Sequence, residues 1–166
     1  MCELIQKYNV PGPRYTSYPT VPYWDMETFS GKKWKSSVIQ AFEENPEEGI
    51  SIYIHLPFCE SMCTFCGCHK RITKRHEVEG PYISAVLKEW ELYVDLMESK
   101  PVIKELHLGG GTPTFFSPEN LKMLINGIVR LSKKTDDIEF SFEGHPNNTT
   151  KRRWLANRSP RIRTQR

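Results

Sequence analysis

The 166-residue sequence predicts an α/β fold with parallel strands. Short segments rich in β-branched residues alternate with longer segments whose apolar residues recur at helical spacing, in the order strand, helix, strand, helix, strand. A cysteine-rich loop, a run of glycines and a glutamate each follow one of these strands. Since ligands bind beyond the carboxyl ends of parallel strands, the sequence also predicts one functional site at that edge.

Residues 1–48 are predicted to form an N-terminal arm and a helix appended to the core. The prolines within 11–20 exclude a continuous helix and favour an extended arm. An amphipathic pattern over 34–44 predicts a helix that ends before Pro46.

Residues 49–148 are predicted to contain the first three strand–helix units of the core. Alternating apolar residues predict three strands, at 50–57, 102–108 and 137–143. Apolar residues at helical spacing predict helices at 81–97 and 118–131, and Ser117 is placed to cap the second helix.

Cys59, Cys63 and Cys66 are spaced so that three thiolates can bind one iron–sulfur cluster. A 4Fe–4S cluster used for electron transfer takes four cysteines, and a structural zinc ion also fills all its positions. Cys2 is distant in sequence and Cys68 is too close to reach the fourth corner. One iron is therefore predicted to lack a protein ligand and to be open to a cofactor or substrate.

Two plainer interpretations exist for the same cysteines. A zinc ion could take His55 or His69 as its fourth ligand, or the thiols could pack as small apolar groups. Gly67 directly follows the third cysteine, and the segment begins where a strand ends. Both features favour a loop that wraps a cofactor.

Gly109, Gly110 and Gly111 follow the second predicted strand. The run has neither the lysine of a Walker loop nor the glycine spacing of a dinucleotide fingerprint. It offers backbone without side chains, which a ligand can approach closely, and is predicted to form a wall of the site. A tight turn made of permissive residues is the alternative.

Glu143 ends the third predicted strand and could accept hydrogen bonds from the hydroxyls or amine of a nucleoside. A solvated carboxylate explains this position equally well. Tyr53 and His55 lie on the same face of the first strand because strand side chains alternate. Packing in the core would explain Tyr53 nearly as well as contact with a ligand.

Composition limits the class of protein. No apolar run reaches the roughly 20 residues that span a bilayer, and the N-terminus lacks the pattern of a secretory signal. Five cysteines are an odd number and fit ligands better than disulfides, so a cytoplasmic location is predicted.

The net charge of +3 comes from the last segment, 149–166. This tail has no acidic residue and seven basic ones: Lys151, Arg152, Arg153, Arg158, Arg161, Arg163 and Arg166. Outside it, acidic residues outnumber basic ones. Binding of the tail to nucleic-acid phosphates is the less favoured interpretation, because no base-reading module accompanies the charge.

The motif Cys59-x3-Cys63-x2-Cys66 with the glycine run resembles the radical S-adenosylmethionine (SAM) enzymes. Four segments, 13–20, 53–59, 66–68 and 107–114, narrow the resemblance to the oxygen-independent coproporphyrinogen III oxidases of haem biosynthesis. The resemblance covers about residues 10–148. It implies the N-terminal part of a radical SAM (β/α) partial barrel, with the barrel incomplete.

The resemblance also implies the chemistry. In this family a 4Fe–4S cluster reduces S-adenosylmethionine, and the resulting 5′-deoxyadenosyl radical abstracts hydrogen from a propionate side chain. Decarboxylation of two propionates converts coproporphyrinogen III to protoporphyrinogen IX. The expected partners are this substrate and an electron donor such as a flavodoxin or ferredoxin, and the chain is expected to be monomeric, with no membrane partner.

Residue roles follow from the resemblance by position. Tyr53, Phe65, Gly110 and Glu143 are expected to contact a first S-adenosylmethionine, and Gly111 and Thr112 a second. Arg14 and the tyrosines around it belong to an arm expected to shield or admit substrate. No catalytic residue is assigned.

A related radical SAM haem chaperone is the nearest competing interpretation. Such sequences usually lack a cysteine at the position of Cys68 and lack the arm at 13–20, and both are present here.

Near Thr149 the resemblance to the family ends, the sequence becomes strongly basic, and the repeating pattern of apolar residues stops. The tail is therefore expected to be non-native or disordered, as in a truncated product read in a shifted frame. A parallel barrel needs about 200 residues. A cluster-binding fragment without turnover is accordingly the alternative to an active enzyme.

Overall fold

The helices and strands follow the predicted order along the chain. The computed structural model describes residues 3–9, 21–44, 46–64, 66–133, 138–145 and 162–164. Its helices are α1 (Glu3–Tyr8), α2 (Gly31–Glu44), α3 (Glu79–Leu96) and α4 (Pro118–Arg130). Its strands are β1 (Ile50–Leu56), β2 (Phe58–Cys59), β3 (Arg71–Ile72), β4 (Ile103–Gly110), β5 (Ile138–Phe142) and β6 (Ile162–Thr164).

The chain divides into two units, Met1–Ser36 and Ser37–Arg166. The division falls inside α2, whereas the sequence predicted a boundary at residue 48. The predicted arm at 11–20, including Arg14, lies outside the described residues. Helix α2 begins three residues before the predicted start, because the Ser30 hydroxyl accepts a hydrogen bond from the Lys33 amide at 3.2 Å.

The main sheet lies in the second unit and has the strand order β1-β4-β5-β6, with every pair parallel. The three predicted strands form its first three positions, which confirms the parallel α/β class. Strand β4 continues through Gly109 and Gly110, two residues beyond its predicted end, because both residues pair with β1.

Two features of the strands were not predicted. Strand β6 lies within the basic tail and pairs with β5. Strands β2 and β3 form a separate parallel pair that places Cys59 beside Ile72. The rest of the tail lies outside the described residues.

One face of the sheet is buried against α3 and α4. Ile54 and Leu56 of β1 belong to a hydrophobic core with buried residues of β4, β5 and both helices. The Trp90 indole donates a hydrogen bond to the Ile128 carbonyl at 3.1 Å, which joins the two helices within this core. The opposite face bears mainly polar side chains, so the alternating pattern of the strands reflects burial on one side only.

The start of α4 is capped as predicted, because the Ser117 hydroxyl accepts a hydrogen bond from the Asn120 amide at 3.2 Å. Among the described residues, every helix is too short or too polar to span a lipid bilayer.

A buried carboxylate joins the start of α3 to the start of α4. Glu79 is 1% exposed and accepts hydrogen bonds from the Ser117 amide at 2.8 Å and the Asn120 side chain at 2.7 Å. The His76 ring lies 2.7 Å from the other carboxylate oxygen and stacks on Phe115. The carboxylate itself is buried, so these donors replace the water that it has lost and connect it to both helices.

Replacement of this carboxylate should destabilise the fold. We expect Glu79→Ala to lower the free energy of unfolding by about 2 kcal/mol, because it removes the acceptor that the partly buried Ser117 amide and Asn120 side chain share. Glu77→Ala is the matched control: its side chain is 73% exposed and lies 3.9 Å from Arg75, so its effect should stay below about 0.5 kcal/mol. Urea denaturation of both variants measures the difference, and equal effects would show that Glu79 does not brace the helices.

Candidate cofactor site at the carboxyl ends of the strands

The cysteine loop begins immediately after β1 and is held at its base by backbone hydrogen bonds. The Arg71 amide donates to the Pro57 carbonyl at 2.7 Å, and the Thr73 amide donates to the Cys59 carbonyl at 2.9 Å. These bonds bring the two ends of the loop, at 57–59 and 71–73, together beyond the end of β1. The first cysteine is therefore fixed in the sheet region, and the other two lie further out.

The outer part of the loop is also folded on itself. The Cys66 amide donates to the Cys63 carbonyl at 3.2 Å. The Lys70 ammonium group lies 3.4 Å from the Cys66 carbonyl and 3.3 Å from the Cys68 carbonyl. A cation on the carbonyls of this loop limits the shapes that its backbone can adopt.

The thiols differ in exposure and are not gathered into one ligand set. Cys59 is buried, Cys66 is half-buried, and Cys63 and Cys68 are exposed; all four are free of disulfides. Within the described part of the chain, no three side chains of cysteine, histidine, aspartate or glutamate converge on a metal position. Three free thiols on one loop are nevertheless the donors that an iron–sulfur cluster requires, so the residues fit such a group in chemistry and placement.

One of the two histidines proposed for a zinc site, His55, has other contacts on both of its ring nitrogens. One nitrogen of His55 lies 2.7 Å from the His69 carbonyl, and the other lies 3.4 Å from the Tyr53 hydroxyl. Neither contact is with a cysteine. The geometry of the described residues thus gives no support to a zinc ion completed by His55 or His69.

The glycine run packs directly against the end of β1. The Gly111 amide donates to the Leu56 carbonyl at 2.9 Å, and the Thr112 amide donates to the Phe58 carbonyl at 3.0 Å. A Cβ atom at Gly111 would lie 2.7 Å from the backbone carbon of Pro57. The run is therefore a tight backbone junction, and its role as a wall for a ligand stays a prediction.

Gly110 has a positive φ of 105°, and a Cβ atom there would lie 2.5 Å from the His55 ring. At Gly109 an added Cβ would lie 2.9 Å from the Tyr53 ring and 3.0 Å from Glu143. Each position excludes a side chain for a different reason.

Glu143 lies against this glycine run. One of its carboxylate oxygens accepts a hydrogen bond from the Gly110 amide at 3.3 Å, and its own amide donates to the Leu108 carbonyl at 2.9 Å. Its side chain is 53% exposed, which leaves the carboxylate open to a ligand. The predicted contacts Tyr53, Gly110 and Glu143 are thus neighbours, whereas Phe65 lies outside the described residues.

Tyr53 is 56% exposed, so packing in the core does not explain it. Partial desolvation raises the pKa of its phenol, and the charges of Glu143 and Cys68 raise it further. Desolvation also raises the pKa of the Cys68 thiol, followed by the charge of Cys66. The Thr112 hydroxyl lies 3.3 Å from the Cys59 sulfur and so joins the glycine run to the cysteine loop.

Three residues near the site were missed from the sequence. The His107 ring stacks on Tyr53 and lies 2.7 Å from the Ser141 hydroxyl. The Tyr82 hydroxyl donates to the His55 carbonyl at 2.6 Å and supports the end of β1 from α3. Strand side chains alternate, so His107 and Gly109 lie on the same face of β4. This alternation could have identified His107 from the sequence as a residue near the site.

Comparison with known proteins identifies relatives over most of the chain. The radical SAM superfamily model matches residues 53–154. Oxygen-independent coproporphyrinogen III oxidases match at 38% identity, over 143 residues in Escherichia coli and 144 in Mannheimia haemolytica. Each alignment covers 86% of this chain; it covers 30% of the Escherichia coli relative and 94% of the Mannheimia relative.

A solved structure, coproporphyrinogen III oxidase from Escherichia coli, described as a radical SAM enzyme, is similar with a TM-score of 0.75 and 28% identity. The similarity covers 93% of this chain and 34% of that one. The chain therefore spans about a third of the length of these Escherichia coli proteins, and the shared fold is the part that contains the strands described above.

A side chain at Gly110 should disrupt the junction between β1 and β4. We expect Gly110→Ala to lower the unfolding free energy by about 2 kcal/mol, because an L-residue is strained at this φ and its Cβ meets the His55 ring. Gly80→Ala is the control, since an added Cβ there meets nothing within 4 Å. Thermal unfolding followed by circular dichroism compares the variants, and equal melting temperatures would contradict the required glycine.

Proposed function

The chain belongs to the radical SAM superfamily and, within it, to the oxygen-independent coproporphyrinogen III oxidases, and on this premise we propose that Cys59, Cys63 and Cys66 hold its 4Fe–4S cluster. Members of this superfamily use such a cluster together with S-adenosylmethionine. Cys68 stays outside the ligand set, so one iron remains open to that cofactor. The matched segment begins at Tyr53 and includes all three cysteines.

The contact between the cysteine loop and the glycine run carries the proposal. The Thr112 hydroxyl lies 3.3 Å from the Cys59 sulfur, and the Gly110 amide contacts the Glu143 carboxylate. A ligand at the open iron would therefore have the glycine backbone on one side. Charged and polar groups of a nucleoside would meet a carboxylate already held in place.

We propose distinct roles for the residues of this edge. Tyr53, Phe65, Gly110 and Glu143 contact a first S-adenosylmethionine, and Gly111 and Thr112 contact a second. The Glu143 carboxylate accepts hydrogen bonds from hydroxyl or amine groups of the cofactor, because its exposed side chain has acceptor capacity left beyond the Gly110 amide. The glycine backbone allows a ligand to approach where a side chain would block it.

When bound, the cluster and S-adenosylmethionine supply one-electron cleavage of the sulfonium and a radical that abstracts hydrogen. The proposed reaction is oxidative decarboxylation of two propionates of coproporphyrinogen III to vinyl groups, giving protoporphyrinogen IX. Each vinyl group forms with transfer of one hydrogen atom to the radical, release of one carbon dioxide and transfer of one electron to a one-electron acceptor. A flavodoxin- or ferredoxin-like donor would supply electrons to a monomeric chain in the cytoplasm, where reduced thiols persist. The names of the matched relatives support this substrate.

The alternative is a chain that binds the cluster and cofactor without oxidising the porphyrinogen. The described site favours this alternative in one respect: it lies at one edge of a sheet, whereas a substrate as large as a porphyrinogen needs contacts from more of a protein. Both functions use the cysteine site to bind the cluster and the cofactor, and they differ in whether the chain then oxidises the porphyrinogen.

Single cysteine variants test the ligand set. After anaerobic reconstitution, the wild-type chain should bind about four irons and four sulfides, as a cubane cluster requires. Cys59→Ala, Cys63→Ala and Cys66→Ala should each lose most of this iron, whereas Cys68→Ala, the matched control in the same loop, should retain it. Iron and sulfide analysis with electron paramagnetic resonance of the reduced samples measures the outcome, and loss of the cluster in Cys68→Ala would refute this ligand set.

Product analysis separates the enzyme from the alternative. The reconstituted chain, with a chemical reductant, S-adenosylmethionine and coproporphyrinogen III, should form both 5′-deoxyadenosine and protoporphyrinogen IX. A chain that holds the cluster and forms no porphyrin product, with or without 5′-deoxyadenosine, would support the alternative. Chromatography of both products decides between the two functions, and absence of any cluster after reconstitution would contradict both.

A further inference from the structure

His107 lies on β4 between two of the proposed cofactor contacts. Its ring is stacked on that of Tyr53, with 5.5 Å between centroids and 16° between planes. Its Nε2 atom lies 3.6 Å from a carboxylate oxygen of Glu143. No role for His107 follows from the resemblance, yet it contacts both residues.

The surroundings of the ring favour one tautomer. Nδ1 lies 2.7 Å from the Ser141 hydroxyl, which can donate or accept a hydrogen bond. Nε2 faces a carboxylate, which attracts an N–H group and repels a nitrogen lone pair. The proton of the neutral ring therefore belongs on Nε2, and the Ser141 hydroxyl then donates to Nδ1.

This arrangement holds Glu143 from two sides. The Gly110 amide donates to one carboxylate oxygen at 3.3 Å, and Nε2 of His107 lies 3.6 Å from the other. The distance to Nε2 is slightly longer than a hydrogen bond, so the interaction is electrostatic attraction between a polarised N–H group and a nearby charge. Gly109 makes room for it, because a Cβ there would lie 3.0 Å from both atoms.

We propose that His107 is a positioning residue for S-adenosylmethionine: oriented by Ser141 and by stacking on Tyr53, it directs Nε2–H to Glu143 and holds that carboxylate toward the cofactor. The inference rests on the proposed function of Glu143. It adds a residue that acts through two others and does not itself contact the cofactor.

Nuclear magnetic resonance of the full chain labelled with ¹⁵N-histidine tests the tautomer without any cofactor. The spectrum, recorded above the pH range in which histidine titrates, should show His107 with a protonated Nε2 and an unprotonated Nδ1; His107→Phe identifies its signals. Ser141→Ala should let the Nδ1–H form appear. Ser51→Ala, on the same face but bonded to Glu105, should leave His107 unchanged. A predominantly Nδ1–H ring in the wild-type chain would overturn the inference.

The affinity of the reconstituted chain for S-adenosylmethionine tests whether His107 helps Glu143 to bind that cofactor. His107→Phe keeps a ring against Tyr53 but removes both nitrogens, and should raise the dissociation constant about tenfold, the usual scale for a lost interaction with a charged group. His107→Gln retains an N–H donor and should recover most of the affinity. Melting temperatures of both variants show whether the fold is intact.

Equal affinity of the wild-type and His107→Phe chains would overturn the positioning role. If the wild-type chain holds its cluster and binds no S-adenosylmethionine, the proposed function fails. The tautomer and its response to Ser141→Ala then decide separately whether His107 is oriented toward Glu143.

Discussion

The backbone junction between β1 and the end of β4 is the contact on which the site depends. Hydrogen bonds from Gly111 to Leu56 and from Thr112 to Phe58 continue the pairing of the two strands beyond the sheet. Such close approach requires glycine, because a Cβ at Gly111 would meet the backbone of Pro57. The junction brings the glycine run against the first cysteine, although the two segments are about fifty residues apart in the sequence.

One face of the sheet packs in the hydrophobic core, and the other bears the polar residues of the proposed site. The core with α3 and α4 buries one face, and Glu79 and Trp90 join the two helices by buried hydrogen bonds. The other face has Tyr53, His107 and Ser141, which contact one another without being buried. Polar groups can remain on this face because stability is supplied from the opposite side.

Patterns in the sequence predicted those helices and strands that are long enough to show a repeat of apolar residues or that begin with a capping residue. Alternation and helical spacing placed the central strands and helices, and Ser117 marked the start of α4. Strands β2, β3 and β6 are two or three residues long, too short for any period to be visible. Of the predicted contacts, Tyr53, Gly110 and Glu143 are neighbours because strand order aligned their segments. Alternation along β4 alone indicates the face on which His107 lies, but its contact with Ser141 depends on the pairing of β4 with β5, which no single segment reveals.

The backbone at the base of the cysteine loop is held by hydrogen bonds, whereas its thiols do not meet at one point in the described part of the chain. Its base is fixed by hydrogen bonds at Pro57 and Cys59, while Cys63 and Cys68 are exposed. Metal binding is coupled to ordering when a site is not assembled beforehand, and part of the binding free energy is then spent on that ordering. The hydrogen bonds at the base, the Lys70 contacts and the glycine junction restrict the described part of the loop, so the proposed binding of a cluster would have less of the backbone left to order. The fold thus lowers the cost of binding a cluster without having to contain a finished ligand set.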